Sequence, residues 1–525
     1  MGTASISAYA LLGIDAVPVR VEAHVRPGLP GVTIVGLPDA AVREAKERVR
    51  SAAAIAGYPL PTQRITVSLS PADVRKEGPG FDLPLALAIL GAAGHLPPAS
   101  LKDLGAVGEL GLQGEVRRVR GALGMAEAAG RGLTRSLLVP MECLAEALAC
   151  LPEAAIGVRS LAEAVTACRS PKTHAWLRRR GQRWMSLRHK QSDTTSQRHP
   201  DFADVAGQRA AKRALEIAAA GGHHLLMVGP PGVGKTMLAR RIPGIMPDLS
   251  NDEALEVTRI WSAAGLLPQV GGPLVQRPFR SPHHTASTAA LVGGGSPARP
   301  GEVTLAHRGV LFLDEFPELT RDSLEALREP MEDGYVVITR RAGSLRFPAR
   351  FTLVAAMNPC PCGYAGHPTV PCTCSPAQAD RYRRHVSGPL LDRVDMLLEL
   401  PPLSLDWLVG TNAVTEETST AIRRRVMTAR AFRGLREKAE RCASGSAAPG
   451  ERHPRRVEER AALTAGATTL LHRYLEGGRA GGRSHARLVA LSRTVADLDL
   501  SSLVREEHVA EAAGLHLNDR WAWRV

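Results

Sequence analysis

Apolar and polar positions alternate strictly near the start of the chain. Val17, Val19, Val21, Ala23 and Val25 are interleaved with Pro18, Arg20, Glu22 and His24, the period-two pattern of a strand with one buried face. Ile65, Val67 and Leu69 repeat it. Between them Asp39–Ala56 reads as a helix, with Pro38 near its start and Gly57 after its end. The longest apolar run, around Leu83–Ala93, has the length of a buried helix and falls short of the ~18–20 residues that span a bilayer. Further on, Leu225–Val228, Val310–Leu313 and Leu353–Met357 are unbroken apolar runs, as expected of strands covered on both faces in a parallel sheet.

These patterns divide the chain into four regions. Residues 1–168 read as a compact α/β domain, 169–200 as a polar, basic linker, 201–400 as a second α/β core, and 401–525 as helical, being rich in Ala, Leu and Arg. A chain of 525 residues supports about three domains. The first six residues lack the charged head and apolar core of a signal peptide, so a cytoplasmic protein without a membrane span is expected. Its eight cysteines are then thiols or metal ligands and not structural disulfides.

Charge sharpens the picture. The net charge is +14, and it is concentrated. Arg169–Ser192 holds eight Lys/Arg and no Asp/Glu, and Ala421–Arg460 holds twelve against five, which leaves the rest near neutral. Concentrated basic charge is a footprint for a polyanion such as DNA, and the competing reading is a solvated linker. Trp176 and Trp184, interleaved with Arg178, Arg179, Arg180 and Arg183, offer stacking faces beside phosphate-binding charge; the alternative is linker packing.

The densest chemical signal is Gly229-Pro230-Pro231-Gly232-Val233-Gly234-Lys235-Thr236, the full phosphate-loop pattern between a strand and a helix-compatible run. The glycines let backbone N–H groups wrap phosphates, Lys235 reaches the β- and γ-phosphates of ATP, and the Thr236 hydroxyl binds Mg²⁺. About eighty residues later the strand Val310–Leu313 ends in Asp314 and Glu315. Asp314 is expected to hold Mg²⁺, and Glu315 to orient the attacking water. Asn358 ends the next apolar strand, beside the γ-phosphate or lytic water, unless it is a turn residue before Pro359. Arg393 is a candidate arginine finger for a neighbouring subunit's nucleotide, and Arg483 a candidate sensor at a helix start; the bland reading of each is a surface arginine. Cys360, Cys362, Cys372 and Cys374 form two C-x-C pairs separated by nine residues. Four thiolates can bind Zn²⁺ tetrahedrally; the alternative is reduced, unliganded thiols.

Taken in order, several segments carry a resemblance. They are Phe202-Ala-Asp-Val-Ala-Gly-Gln208, the phosphate loop, Arg280-Ser-Pro-His-His-Thr-Ala286, Ala306–Glu318, Ala356-Met-Asn-Pro-Cys-Pro-Cys-Gly363 and Gly388–Arg393, with Leu29–Asp39 and Arg75–Pro84 before them. Together they resemble the YifB/ComM family of magnesium-chelatase-like AAA+ ATPases. The resemblance implies an AAA+ P-loop core with a helical lid, a hexameric ring, and a role in processing transforming or recombining DNA, including branch migration. The N-terminal region resembles the fold of Lon-type protease domains (the ribosomal S5 domain 2-like fold), with Gly105–Glu115 as the two-stranded segment. Phe81 stands where such an enzyme carries its nucleophilic Ser, so a binding or assembly module is expected.

Three activities follow from these observations: a DNA translocase or helicase, a chelatase-type subunit that remodels a protein partner, and a nucleotide-dependent DNA-binding scaffold. The basic segments favour the first over the second, and an intact Glu315 favours turnover over a static switch. A hairpin is expected over Tyr335–Phe351, with Arg340, Arg341 and Arg346 clustered at its tip to track phosphates.

Overall fold

The computed structural model describes all residues except 1, 133, 193–198, 269–271, 296–297, 341–342, 403–415, 444–457, 459–460, 477–481 and 517–525. The N-terminal hydrophobic alternation becomes a long antiparallel pair, β1 (Gly2–Leu12) and β2 (Asp15–Arg26), in register from Gly2↔Val25 to Leu12↔Asp15. With β3 (Gly31–Val35), β4 (Arg64–Ser70), β5 (Leu104–Ala106), β6 (Ser136–Pro140) and β7 (Ala155–Val158) it makes a seven-stranded mixed sheet of order β3-β4-β2-β1-β5-β6-β7. Helix α1 (Ala40–Ile55) is capped by Asp39, whose Oδ1 accepts the Val42 N–H at 2.8 Å, and buries Val42, Ala45, Val49 and Ala52 at helical spacing. Helix α2 (Asp82–Ala92) is buried on every side. The Asp82 carboxylate in its first turn is satisfied by Arg48, at 2.6 and 2.9 Å, and by the Leu110 N–H at 3.1 Å. Burial pushes this carboxyl up, and the Arg48 hydrogen bond opposes the shift.

Residues Ala122–Arg131 form α3. The stretch expected as a polar linker instead contains a 22-residue helix, α4 (Pro171–Ser192). Leu177 is buried in the N-terminal core, Trp184 packs against a cluster that includes Tyr9, Leu137 and Leu144, and Arg180 grips Glu163 through two 2.7 Å hydrogen bonds. Arg, Gln, Leu and Met are good helix formers, and arginine stems cover apolar surface while their heads stay polar. The basic composition had masked the helix. Arg180 also stacks on Trp176, 5.0 Å from the ring centroid, so part of this charge is committed within the protein.

The second core is a five-stranded sheet with every pairing parallel. After α5 (Arg209–Gly221) come β8 (Leu225–Val228), α6 (Lys235–Ala239), α7 (Asn251–Ala264), β9 (Phe279–Arg280), β10 (Val310–Leu313), α8 (Arg328–Asp333), the hairpin β11 (Tyr335–Arg340) and β12 (Gly343–Pro348), then β13 (Thr352–Met357) and β14 (Met396–Glu399). The sheet order is β9-β10-β13-β8-β14. Helices α9 (Ser419–Ala443), α10 (Ala465–Glu476), α11 (Gly482–Leu498) and α12 (Glu506–Leu515) follow. No described helix is long and apolar enough to cross a membrane.

The second basic stretch, read from its charge as a polyanion footprint or a solvated linker, is largely α9. Ile422, Val426 and Ala429 are buried against the core. Its arginines have protein partners: Arg425 with Glu216 at 2.5 Å, Arg433 with Asp497 at 3.1 Å, and Arg430 with the Ala219 carbonyl at 2.6 Å. These three charges brace the helix and are committed within the protein; the remainder of the stretch, 444–457 and 459–460, lies outside the described residues.

Helix α7 joins the two cores. The Gly121 N–H donates to the Ser262 carbonyl at 2.9 Å, and the Ser262 hydroxyl donates to the buried Glu146 at 2.6 Å, which Arg118 also holds at 3.0 Å. Arg259 bridges to Asp15 and Glu127. Ile14 of the β1–β2 turn packs with Ile260, Ala263, Leu305 and Phe347 in a small apolar cluster. Phe347 belongs to the hairpin, whose base is thereby wedged against the N-terminal domain. The hairpin register pairs Arg340 with Gly343 at the tip but sets Arg346 opposite Val337. Arg346 lies 3.6 Å over the Tyr335 ring, so it does not join a tip cluster as expected; Arg341 falls outside the described residues.

Candidate functional site

The strand order makes the site. β13 lies between β8 and β10, with Val228 beside Met357 and Leu313 beside Ala355. The phosphate loop, Asn358 and the Asp314-Glu315 pair therefore emerge side by side at the C-terminal edge of a parallel sheet, where ligands of open α/β sheets bind. Gly232 and Gly234 sit at φ +82° and +90°, left-handed positions that favour glycine. A Cβ on Gly229 would meet the Leu400 carbonyl at 2.7 Å.

The side chains converge. Lys235 Nζ donates to the Gly229 and Pro230 carbonyls at 2.6 and 3.0 Å and to Asn358 Oδ1 at 3.0 Å. Thr236 Oγ1 donates to Asp314 Oδ2 at 2.6 Å. Burial lowers the Lys235 pKa, and the Asp314 charge opposes this. An ammonium supported by neutral acceptors, next to a hydroxyl–carboxylate pair, fits a phosphate and a hard, oxygen-seeking cation.

Glu315 adopts φ +49°, a strained left-handed position for a non-glycine residue of the kind that collects at functional sites. Its Oε2 lies 2.8 Å from His284 Nδ1, and the His283 and His284 rings are 4.1 Å apart. Sequence reasoning passed over this contact. The paired histidines of Arg280–Ala286 were the available signal, but β9, which precedes them, is separated from β10 by 29 residues and joins it only in the sheet.

Arg393 and Arg483 stand apart from this cluster. Both reach Glu332 at the end of α8: Arg483 donates to Oε1 at 2.7 Å, and Arg393 pairs with Oε2 while also donating to the Pro389 carbonyl at 2.7 Å. Glu332 was not foreseen, since 151 residues separate it from Arg483.

The cysteine loop abuts the phosphate loop. A Cβ on Gly363 would lie 2.6 Å from the Pro231 ring. The ligand atoms of Cys360, Cys362, Cys372 and Cys374 all fall within 4.8 Å of one another, with Sγ separations of 3.3, 3.5 and 3.6 Å among the first three. A tetrahedral Zn–S₄ site, with bonds of ~2.3 Å, spaces its sulfurs by about 3.8 Å. The Ala365 N–H donates to Cys360 Sγ at 3.3 Å and the Cys362 N–H to Cys374 Sγ at 3.4 Å, outer-shell support of the kind metal thiolates use. The donor set fits zinc. His367 stays outside it, its Nδ1 accepting the Val370 N–H at 3.0 Å.

Comparison with known proteins extends these observations along the chain. Residues 201–407 match the family described as magnesium chelatase, subunit ChlI; residues 21–143 match subunit ChlI of Mg-chelatase, and 416–516 the ChlI C-terminal family. The chain is 42% identical over 523 residues to the uncharacterized protein YifB of Escherichia coli, covering 99% of this chain and 98% of that one. It is 38% identical over 525 residues to the competence protein ComM of Haemophilus influenzae, covering 98% and 97%. It is 27% identical over 174 residues to the magnesium-chelatase 38 kDa subunit of Cereibacter sphaeroides, covering 30% and 52%. With near-complete coverage at this identity, the chain belongs to the YifB/ComM family of magnesium-chelatase-like proteins.

Proposed function

We propose that this protein is an ATP-hydrolysing AAA+ motor that assembles as a ring, a hexamer by family resemblance, and acts on DNA as a helicase or branch-migration factor. The observation that carries the ATPase reading is the paired contact of Lys235 with Asn358 and Thr236 with Asp314 at one sheet edge, with Glu315 beside it. Mg²⁺, when bound, neutralises charge between the β- and γ-phosphates. Lys235 binds the phosphates, Thr236 and Asp314 hold the cation, Glu315 orients the water, and Asn358 fixes Lys235 and the reacting end. His284 sets the rotamer of Glu315.

Residues 1–168 act as a Lon-like assembly module without a nucleophile, its Phe81 being buried. Residues 169–200 connect it to the ATPase core of 201–400, and 401–525 act as the helical lid. Arg393 and Arg483 share the Glu332 carboxylate; in this reading Arg393 is the finger that serves the neighbouring subunit's nucleotide and Arg483 is the sensor from the lid. The DNA reading is supported by the competence name of the Haemophilus relative. The chelatase-type reading is weaker, because the alignment with the competence protein covers 98% of this chain and that with the 38 kDa chelatase subunit 30%, although the ChlI family models match along most of it. The experiment that tests the proposal is the ATPase rate with and without single-stranded, duplex and four-way-junction DNA; a rate blind to all three removes DNA as the track.

Arg340 at the hairpin tip is the phosphate-tracking residue of this scheme. Arg340→Ala should leave basal ATPase intact while lowering DNA stimulation, and the salt dependence of DNA binding should flatten by about one unit of slope. Equal slopes for variant and wild type would move the contact to Arg179 and Arg183, exposed on α4.

The cysteine loop holds structural zinc in this reading. Protein purified without chelators should carry one zinc per chain on the four thiolates, and Cys372→Ser should lose most of it. Loosening the loop against Pro231 should then lower ATPase about tenfold or more, as disturbed metal shells commonly do. Wild-type zinc content in the variant would reject the assignment.

A further inference from the structure

A second cluster of metal-binding side chains lies on the C-terminal helices. His472 on α10 and His485 on α11 both point Nε2 at Glu458 Oε1, at 3.2 and 2.5 Å, and the three ligand atoms lie within 4.8 Å of one another. We propose that Glu458, His472 and His485 bind a divalent transition ion of the zinc class and that the ion pins the start of α11.

Four observations carry this. First, the spacing is near what an ion needs: tetrahedral bonds of ~2.0–2.2 Å set ligands about 3.3–3.6 Å apart, so His472 is already near that distance from Glu458 and His485 must draw back by about 1 Å. Second, without an ion a single carboxylate oxygen serves both rings, whereas an ion gives each donor its own bond. Third, the exposure is graded. The side chains of His485 and Glu458 are 13% and 19% exposed and that of His472 is 54% exposed, so the site has two inner ligands and a rim ligand open to solvent. Three protein ligands leave a fourth position for water. Fourth, the donor chemistry selects: two imidazoles and one carboxylate suit Zn²⁺, Co²⁺ or Ni²⁺, while Mg²⁺ and Ca²⁺ demand oxygen shells.

The site has a mechanical meaning. His472 on α10 and His485 on α11 lie on either side of the connection 477–481. A metal clip across such a connection restrains its ends. Two residues before His485 stands Arg483, which holds Glu332 at 2.7 Å. Ion binding therefore fixes the turn of helix from which Arg483 projects. Metal binding here stands independently of the nucleotide reading, and the test below involves no ATP.

The test uses the full-length protein, stripped of metal and titrated with Co²⁺. Cobalt on the cysteine loop gives thiolate charge-transfer bands in the near ultraviolet; cobalt on nitrogen and oxygen gives only weak visible bands. Wild type should bind one equivalent without thiolate bands. His472→Ala, at the exposed rim, should lose that equivalent or bind it more than about tenfold more weakly, with the thiolate bands unchanged. His472→Gln serves as the second variant if the first fails to fold by circular dichroism. Hydrogen exchange should follow: amides of 483–488 should slow by up to about a hundredfold in wild type at a free ion concentration a hundred times Kd, and not in the variant. Equal Co²⁺ stoichiometry and affinity in wild type and variant overturn the site. Cobalt bound without added protection of 483–488 overturns the pinning of α11.

Discussion

Glu315→Gln protein should retain ATP and hydrolyse it about 10²–10⁴ times more slowly than wild type, the range contributed by a positioned acid–base group. That loss is about 3–5 kcal/mol of barrier. The amide fills the same space as the carboxylate but cannot polarise water in the same way. Lys235→Ala should fail differently, losing the ammonium that meets the phosphates and therefore losing affinity as well as turnover. Nucleotide binding and phosphate release measured together separate the two, and a wild-type rate in Glu315→Gln would remove the residue from the chemistry. His284 adds a control, since His284→Ala keeps the carboxylate and alters only its 2.8 Å partner.

Arg393→Ala should bind ATP normally and lose about 10³–10⁵ in turnover, the measured reach of an arginine finger. Mixed with Lys235→Ala protein it should regain part of the lost rate, because each variant supplies what its neighbour lacks at a shared interface. Arg483→Ala removes the other guanidinium that grips Glu332, and the same mixing separates a sensor acting within its own subunit, which is not rescued, from one acting across the interface, which is. Mixed rings that stay inactive with Arg393→Ala would show that the residue serves its own subunit's nucleotide.

Strands were legible in the sequence wherever their own burial pattern announces them. The alternation from Val17 to Val25, the apolar run before Gly229 and the run before Asp314 became β2, β8 and β10, because one face or both faces of each must be dry. What the sequence hid was every contact closed by a remote partner. Arg180, Arg425 and Arg433 read as charge available to a polyanion until Glu163, Glu216 and Asp497 were found beside them. Helix α4 was hidden because its buried stripe is thin, with Leu177 and Trp184 set among arginines. Arg346 was misassigned because its register within the hairpin depends on which residues turn: Gly343 opposite Arg340 draws Arg346 back to Val337. Of the site's geometry, the order along the chain gave the phosphate loop, Asp314 and Asn358. That β13 lies between β8 and β10, bringing Asn358 to Lys235, is a property of the sheet alone.

The docking of α7 bears on how the protein can be cut. Ile260, Ala263, Leu305 and Phe347 are covered from the other side by Ile14, and Ser262 completes its hydrogen bonds on Gly121 and Glu146. A fragment beginning at residue 201 would expose that apolar patch to water. Such newly bared surfaces favour self-association. Its hairpin would also lose the wall against which it is braced. The fragment should therefore aggregate or bind chaperones even with its nucleotide residues intact, and a weak activity measured on it would report a damaged surface more than a dispensable domain.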